Sequence, residues 1–556
     1  MSYDLKITNG LIVDGTGEPG YIGDIGISNG KLVAVGNAPD SATEVIEARG
    51  KVVCPGFVDI HTHFDAQILW DKKLSVSPWH GVTTVLLGNC GFGIAPTHPE
   101  HREVLMRILE NVEGMSYDAI KEGMGDDWPF ETFPEYLDFL EKNPSVINVA
   151  ALFGHTPART YVMREDATER AATKEELEQL KSLTKEAMAA GAFGFSSSLV
   201  PSHNGYMGKP VPSRLAEKEE FIEVAKVLSE AGHGLIQITR GEGMQQEQLA
   251  ELAAVSGRPV TWLALLADIH PDNGHRAILE QTRANQEKGL KIYPQVSGRP
   301  VLFEYDMVKP FLLMGHEQFK PIAEADSDKT TIRALFQDAE FRAGIRDVEG
   351  FGIAWDRTEI SYMPHDNSLE GENLENLAEK RGVHPTELLL DLALESDLDA
   401  RYRLTYLNYS DDVVAELLSH PSVVMGLSDA GAHASQLCDA CFSTHLLQKW
   451  VREKNVLTVE QAVNLLSART ADVMGLTDRG RLQVGLKADV VIFDAKTVGC
   501  SPLERVYDQP ANQPRLISRE FGIDAVLVNG TVIRRNGEDA LADDAHMPGQ
   551  LLRSGQ

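Results

Sequence analysis

Cysteine is scarce in this chain, which has five cysteines among its 556 residues. An odd, sparse set in so long a chain excludes a disulfide framework and favours a reducing compartment. The sequence has no run of about 18 apolar residues, which excludes a transmembrane helix. Its first ten residues, MSYDLKITNG, lack the basic and apolar regions of a secretory signal. We therefore expect a cytoplasmic protein that does not work in a membrane.

Basic residues are also few relative to acidic ones. Lys and Arg number 52 against 82 Asp and Glu, which gives a formal net charge of −30. So acidic a surface disfavours nucleic acids and anionic membranes as main partners. It is compatible with a small-molecule substrate, even an anionic one, because a binding site can carry its own positive charge. The sequence has no coiled-coil pattern and is compatible with a homo-oligomer.

Both ends of the sequence are rich in short β-type segments. In the first 55 residues, turns are predicted at Asn9-Gly10, Asp14-Gly15 and Asn29-Gly30, because such pairs between apolar stretches are the strongest local signal for hairpins. The last part of the chain repeats the pattern around Asn529-Gly530. We predict one small β-sandwich domain built from residues 1–55 and 480–540.

Eight short apolar runs recur between these ends, and helix-like stretches fill most of the gaps. The runs cover residues 56–61, 82–88, 146–154, 192–198, 234–239, 259–266, 290–296 and 423–428. This alternation is typical of parallel βα units, and eight strands close a TIM barrel. We therefore predict an α/β fold with a (β/α)8 TIM barrel over residues 56–479. The gap at about 300–420 is too long for one crossover helix and predicts an inserted subdomain.

Four residues at the ends of predicted barrel strands have metal-binding chemistry. His61 and His63, in PGFVDIHTH, lie two residues apart and share one face of the first strand. Imidazole is a common zinc ligand, although such a pair can also be a surface or core pair. Asp429, in SDAGAH, is either a ligand or the N-cap of the next helix. Cys90, in GNCG, is either a thiolate ligand or a buried inert cysteine.

Together these motifs resemble a known family. The N-terminal β segment, PGFVDIHTHFD, SDAGAH and the returning C-terminal β segment are similar to those of the amidohydrolase superfamily. Within it, WHGVTTVLLGNCGFGIAP and GAFGFSSSL resemble the N-acyl-D-amino-acid deacylase (D-aminoacylase) family. The resemblance covers roughly residues 1–535 and is weakest in the predicted insertion. It implies that His61, His63 and Cys90 bind metal, and that Asp429 is the catalytic residue.

The resemblance breaks at the fifth and sixth strands. Each of these strands ends in a metal-binding histidine in the family, but the matching positions here are Ile238 and Ala264, which cannot bind a metal. The fourth strand also has no lysine to bridge two metals. The sequence therefore predicts one zinc ion per chain, held by the four residues named above or by a subset of them, and makes a second metal site doubtful.

The expected reaction is hydrolysis of an amide C–N bond, most directly the deacylation of an N-acyl (D-)amino acid or a related compound. Zinc would activate water for attack on the carbonyl carbon. Asp429 would take a proton and return it to the leaving nitrogen, and His433 would orient Asp429, unless it merely begins a helix. The same site suits lactone, cyclic-amide or ester hydrolysis, and the loss of two histidines keeps a non-catalytic binding relative open.

Further residues near the strand ends are candidates for binding substrate. The carboxylate of an acylated amino acid needs a cation or hydrogen-bond donors, and guanidinium groups match carboxylates well. The candidates are His155, Arg240, Tyr293, Ser297 and Arg299. Tyr293 and Ser297 resemble carboxylate-binding positions of the family. His155 has a structural alternative, and Arg299, which precedes a proline, has the alternative of merely leaving the barrel.

Overall fold

The computed structural model describes residues 2–350, 352–543 and 545–555. They form two compact units. The larger unit runs to Arg299 and also contains Asp412–Ala434 and the residues from Cys438 onward, and the smaller one contains Pro300–Asp411 and Ser435–Leu437. Within the described ranges, no helix combines the length and the apolar character needed to cross a bilayer. Strands and helices are numbered along the chain.

Parallel strands form the centre of the larger unit. They are β6 (Phe57–Asp59), β7 (Val82–Leu87), β8 (Asn148–Ala151), β9 (Phe153–Gly154), β10 (Gly194–Ser198), β11 (Leu235–Thr239), β12 (Val260–Leu263), β13 (Ile292–Val296) and β17 (Val424–Met425). One ladder joins β6, β7 and β8, and a second joins β9, β10, β11, β12, β13 and β17 in that order. Each of the eight apolar runs in the sequence therefore contains a parallel strand, and the run 146–154 contains two.

Hydrogen bonds also link the ends of the two ladders. Phe193 N donates to Ala151 O (2.8 Å), and Thr62 pairs with Ala430 in an isolated parallel bridge. Beside β8, Val149 pairs instead with Leu551. The segment around Leu551 therefore occupies part of the edge that would otherwise pair with β10.

The apolar runs exist because these strands are buried on both faces. Every residue of β7, β8, β10, β11 and β12 is buried, as is typical of parallel sheets covered by helices. Side chains from several strands form one apolar cluster, which includes Val58, Leu86, Ala150, Leu235 and Val424. The buried polar residues Ser196 and Gln237 lie in the middle of β10 and β11, and the buried Gln295 lies one residue before the end of β13.

Helices fill most of the connections. They are α1 (Arg102–Glu113), α2 (Tyr117–Met124), α3 (Phe133–Lys142), α4 (His155–Met163), α5 (Lys174–Ala189), α6 (Lys218–Ala231), α7 (Gln246–Ser256), α8 (Gly274–Glu287), α14 (Asp411–Ser419), α15 (Phe442–His445), α16 (Val459–Leu466) and α17 (Ala468–Met474). Helix α5 begins with a capping box: Thr173 Oγ1 accepts from Glu176 N (3.3 Å), and Glu176 Oε2 accepts from Thr173 N (2.7 Å). Residues Leu446–Glu453 extend α15 as a π-helix.

Strands from both ends of the chain form a nine-stranded sheet in the larger unit. They are β1 (Tyr3–Ile12), β2 (Tyr21–Ser28), β3 (Lys31–Gly36), β4 (Ala42–Glu47), β5 (Val52–Pro55), β18 (Val490–Phe493), β23 (Ile523–Val528), β24 (Thr531–Arg535) and β25 (Glu538–Asp539). The order is β25-β24-β23-β18-β5-β1-β2-β3, with β4 also paired to β1. These strands share one sheet, and the face-to-face packing of a sandwich stays a prediction. Two small antiparallel pairs lie nearby in sequence, β19 (Gly499–Cys500) with β22 (Glu520–Phe521) and β20 (Glu504–Gln509) with β21 (Gln513–Ile517).

Of the four predicted hairpin turns, two are confirmed, Asp14-Gly15 lies in the longer connection between β1 and β2, and one is wrong. Asn29-Gly30 links β2 to β3, and Asn529-Gly530 links β23 to β24, with all four residues at positive φ. Asn9-Gly10 instead lies inside β1, where the register with β2 shifts between Ile7 and Gly10. The left-handed conformation of Asn9 (φ 58°) makes a bulge there rather than a turn, because a bulge also uses a residue of positive φ.

The smaller unit is an α+β unit with its own core. Its strands are β14 (Val301–Asp306), β15 (Thr358–Tyr362) and β16 (Arg401–Leu407), and its helices are α9 (Lys320–Glu324), α10 (Lys329–Gln337), α11 (Ala339–Ile345), α12 (Leu374–Arg381) and α13 (Pro385–Glu395). The strands form an antiparallel sheet in the order β14-β16-β15. Phe319, Ile332, Phe336, Leu389 and Tyr402 are fully buried in this core.

Candidate metal centre

The structure brings together the four residues proposed as metal ligands. His61, His63 and Cys90 are buried, and their three ligand atoms lie within 4.8 Å of one another. Cys90 Sγ lies 3.5 Å from His61 Nε2, and Asp429 Oδ1 lies 3.1 Å from His61 Nε2 and 3.9 Å from His63 Nε2. Tetrahedral zinc, with bonds of about 2.0–2.3 Å, separates its ligand atoms by about 3.3–3.6 Å. The spacing of these side chains therefore suits a single ion.

Hydrogen bonds fasten the segment after β6 to the segment after β17. His63 N donates to Ala430 O (2.7 Å), and Ser428 Oγ donates to His61 O (2.9 Å). Ser428 Oγ also accepts from Ala430 N (3.1 Å). The two histidines and the following aspartate loop are thus held in one arrangement by the backbone.

The loop after β17 is strained where it meets the site. Leu427, Asp429 and His433 have φ angles of 64°, 45° and 49°, and Cys90 has a φ of 54°. A non-glycine residue in this left-handed region costs about 1–3 kcal/mol and tends to occur at active sites and ligand clamps. Four such residues around one cluster indicate that the backbone is shaped to present these side chains.

Cys90 lies in a loop pressed against the neighbouring strands. Its backbone N–H donates to Gln237 Oε1 (2.7 Å), and Gly91 N donates to Ser196 Oγ (3.1 Å). Gly91 has a φ of 74°, and a Cβ there would lie 2.7 Å from Ser197 Cα. Only glycine fits this approach, which fixes the position of the thiol beside it.

Strand β11 contacts the candidate metal centre through Gln237 and Thr239. It does not do so through Ile238, the position that matches the family's histidine. Gln237 contacts the backbone of Cys90, and the hydroxyl of Thr239 is hydrogen-bonded to its thiol. Ile238, which lies between them, is buried in the main apolar core. Gln237 and Thr239 are therefore the residues of β11 that contact Cys90, and the strand contributes no imidazole.

Gln295 is a site residue that the sequence analysis missed. His61 Nδ1 donates to Gln295 Oε1 (3.0 Å), and Gln295 Nε2 donates to Thr261 Oγ1 (3.3 Å). A proton on Nδ1 leaves Nε2 of His61 free to bind a metal, as in many metal sites where a partner fixes the histidine tautomer. Its sequence signal was weak, a single amide within the short strand β13.

Burial and neighbouring charges shift the pKa values of the candidate metal ligands. Burial, together with the neighbouring His61, lowers the pKa of His63 to about 3, so its imidazole is neutral. Burial would raise the pKa of Asp429, but the two histidines hold it below its usual range. Burial raises the pKa of the Cys90 thiol, and the charges of Glu113 and Asp429 add to this. A bound cation reverses that effect on a thiol, and two imidazoles, a thiolate and a carboxylate are ligands that zinc takes.

Glu113 is a second residue that the sequence analysis missed. It ends α1, is 3% exposed, and places Oε2 3.5 Å from His63 Nε2 and 3.8 Å from His433 Nε2. His433 N also donates to Glu113 O (2.5 Å). No motif surrounds this glutamate, so the sequence offered no signal for it. The structure thus places His433 against Glu113, and its role in orienting Asp429 stays a prediction.

His155 lies in a separate buried cluster. Its Nε2 is 2.5 Å from Glu220 Oε1 and its Nδ1 is 2.8 Å from Ser197 Oγ. Glu220 also accepts two hydrogen bonds from Arg159 (2.5 and 2.7 Å). Both ring nitrogens of His155 are engaged, which favours its structural alternative over the predicted contact with substrate.

The candidates on and after β13 are placed differently from the prediction. Tyr293 is the second residue of that strand and packs against the apolar cluster that contains Val424. This is the amino-terminal end, whereas barrel active sites lie at the carboxyl ends, so its position argues against a contact with substrate. Arg299 Nε donates to Asp439 Oδ1 (2.7 Å) in a buried ion pair, and Arg299 N donates to Ser297 Oγ (3.1 Å). These contacts hold the turn after β13 together.

Arg240 is the candidate best placed for an anionic group. It directly follows β11 and is partly exposed, and its guanidinium lies 4.4 Å above the ring of Trp262. It also donates to Gln245 Oε1 (2.7 Å). Stacking on an indole holds the planar guanidinium in place while leaving its edge for a carboxylate.

Comparison with known proteins identifies the family. The profile of the amidohydrolase family matches residues 44–534. The chain is 28% identical to a D-aminoacylase of Alcaligenes xylosoxydans xylosoxydans, over 96% of this chain and 94% of the relative. It is also 28% identical to an N-acyl-D-glutamate deacylase of the same organism, over 99% of this chain and 96% of the relative.

A solved structure of a related enzyme supports the same family assignment. An N-acyl-D-glutamate deacylase of Bordetella bronchiseptica, complexed with zinc and a phosphonate inhibitor that mimics the tetrahedral intermediate, is 26% identical and superposes with a TM-score of 0.66. The match covers 100% of both chains. The chain thus belongs to the amidohydrolase family, and with it to the metal-dependent hydrolases of carbon–nitrogen bonds other than peptide bonds.

Proposed function

We propose that this enzyme deacylates N-acyl-D-amino acids with one zinc ion held by His61, His63, Cys90 and Asp429. The observation that carries the proposal is the convergence of two imidazoles, a thiol and a carboxylate within a few ångströms at the ends of three strands. Relatives named for D-amino-acid and D-glutamate deacylation support the substrate class. The count of one zinc rests on β11, which brings Gln237 and Thr239 to the site instead of an imidazole.

Amide hydrolysis needs a Lewis acid and a base, and the proposed site provides both. A zinc ion supplies a Lewis acid that polarises a carbonyl and lowers the pKa of water. Asp429, whose pKa is held below its usual range, is ionised and accepts a proton as water attacks the carbonyl carbon. It then hands this proton to the leaving nitrogen, which departs as an amine.

Arg240 binds the carboxylate of the substrate in this proposal. Its guanidinium is preorganised on Trp262 and partly exposed, and a fork of N–H donors matches a carboxylate. We place the acyl group on the other side of the scissile bond, towards the metal. The substrate is a small molecule. The acidic surface of the chain disfavours negatively charged macromolecules as partners.

We also infer the architecture that would present this site. The eight strand-containing runs would close into a TIM barrel over residues 56–479, with the insertion at about 300–420. Residues 1–55 and 480–540 would form the accompanying β-sandwich. The Thr62–Ala430 bridge between the first and last strand ends supports closure. A cytoplasmic location, inferred from sparse cysteines, and a homo-oligomer stay predictions.

Substitution of Asp429 tests the proposed function. We expect Asp429→Asn to keep the fold and to lower kcat on N-acyl-D-amino acids by about 100-fold or more, because the base is lost. Asp412→Asn, at an exposed position, is the matched control. A panel of N-acyl-D- and N-acyl-L-amino acids, lactones, esters and cyclic amides would be assayed with the metal content of each preparation. Near wild-type turnover by Asp429→Asn would contradict the assignment of the base, and preference for lactones would contradict the substrate class.

A further inference from the structure

The site contains one more metal-binding group than the proposed function uses. We infer that Glu113, from helix α1, is a direct ligand of the zinc ion in this chain. The inference rests on the proposed metal centre and adds a carboxylate from outside the barrel strands. Nothing in the sequence motifs around His61, Cys90 or Asp429 points to it.

The burial of Glu113 calls for a positive partner. Its side chain is 4% exposed, and in the described part of the chain its polar side-chain partners are two imidazoles, those of His63 and His433. A buried carboxylate is costly unless it is paired with a cation or coordinates a metal. Glu220, which is similarly buried, satisfies this rule through Arg159. Among the described residues, no guanidinium forms an ion pair with Glu113, and we infer that a metal ion is its cationic partner.

The distances fit coordination of the same ion. Glu113 Oε2 lies 3.5 Å from His63 Nε2, the atom of that ring which faces Asp429 Oδ1 at 3.9 Å. Neighbouring ligands of one five-coordinate zinc, with bonds of about 2.0–2.2 Å, lie about 2.8–3.8 Å apart. An ion bound to His63 is therefore within reach of this carboxylate without movement of α1.

The backbone holds Glu113 against the loop that carries Asp429. Its carbonyl oxygen accepts from His433 N (2.5 Å), and Gly114 (φ 57°) ends the helix immediately afterwards. The carboxylate is thus fixed relative to the loop after β17. Strands β11 and β12 end in Thr239 and Leu263, which are not zinc ligands of ordinary proteins. Helix α1 supplies the donor that these strands lack.

Zinc binding by the whole protein tests this inference. Wild type, Glu113→Gln and Glu110→Gln would be stripped of metal and titrated with zinc against a chromophoric chelator. Glu110 is the matched control, because it lies on the same helix and pairs with Arg107 at the surface. We expect Glu113→Gln to weaken zinc binding by about 100-fold and Glu110→Gln to leave it unchanged, since even indirect partners of a ligand are worth about 10–100-fold.

The cobalt-substituted proteins provide a second readout. Loss of a coordinating oxygen would change the visible absorption of Co²⁺ in Glu113→Gln, and Glu113→Ala, which also lacks the carboxylate, would give the same comparison if the glutamine variant does not fold. Zinc affinity and a cobalt spectrum equal to wild type in a folded Glu113 variant would overturn the inference while leaving the metal centre intact. Absence of zinc binding by the wild type would instead overturn the proposed function itself.

Discussion

Replacing Gln295 with leucine tests the hydrogen bond that orients His61. Gln295 is fully buried, and its Oε1 accepts from His61 Nδ1 at 3.0 Å. Leucine has a similar volume but no acceptor, so the imidazole N–H would be left unsatisfied, at a cost of about 1–3 kcal/mol. Partners of metal-binding histidines are worth about 10–100-fold in metal affinity, or about 1.4–2.7 kcal/mol. We therefore expect the zinc Kd of Gln295→Leu to rise by that factor.

The assay is a competition titration with zinc, together with unfolding of the metal-free protein. Gln295→Glu is the matched control, because it keeps an oxygen acceptor at the same place and adds a charge that strengthens the histidine as a ligand. We expect it to bind zinc at least as tightly as the wild type. Unchanged zinc affinity in Gln295→Leu would refute the argument that the orientation of His61 depends on this amide.

Two further predictions concern stability. Burial would raise the pKa of Glu220, but its histidine and arginine partners lower it to about 2. Ionised Glu220 therefore stabilises the fold fully above about pH 4.3, which is the pKa of glutamate in an unfolded chain. This stabilisation is lost as the pH falls towards 2. Glu220→Gln should lower the free energy of unfolding by about 3–5 kcal/mol at pH 7, and by less at pH 3 in urea melts; an equal loss at both would contradict the ion pair. Gly91→Ala should destabilise the protein and weaken zinc binding by more than the control Gly257→Ala. Gly257 also has a positive φ but has open space around it, so its substitution should cost only the backbone strain of about 1–2 kcal/mol. Equal melting temperatures of the two variants would exclude the predicted clash at Gly91.

The parallel strands could be predicted because burial on both faces leaves a direct trace in the sequence. Segments such as VTTVLL of β7 contain no charged residue and are rich in valine and leucine, and stretches with helical periodicity separate them. The same logic located the candidate metal ligands, since His61, Cys90 and Asp429 lie within a few residues after the ends of their strands and the carboxyl ends of parallel strands meet. These are local patterns, which a single sequence records.

The remaining site residues depend on register and on distant contacts. A strand buried on both faces carries no alternation, so the sequence could not tell that Gln295, and not Tyr293, lies beside His61. Glu113 reaches the site only because α1 folds back onto the loop after β17. His155 was predicted to contact substrate, but its ring nitrogens are engaged by Ser197 and by Glu220 on another helix. Each case is decided by a partner far away in the chain.

The pairing of β5 with β18 has a consequence for the biosynthesis of the enzyme. Cys54 pairs with Val491, so β5 lies between β1 and a strand made more than four hundred residues later. Until β18 emerges from the ribosome, β5 is an open strand edge, which other chains can capture. Strand β6, which leads to His61, begins two residues after β5. We therefore expect the proposed zinc to be acquired late in the synthesis of a new chain, and fragments that stop before β18 to aggregate rather than acquire zinc.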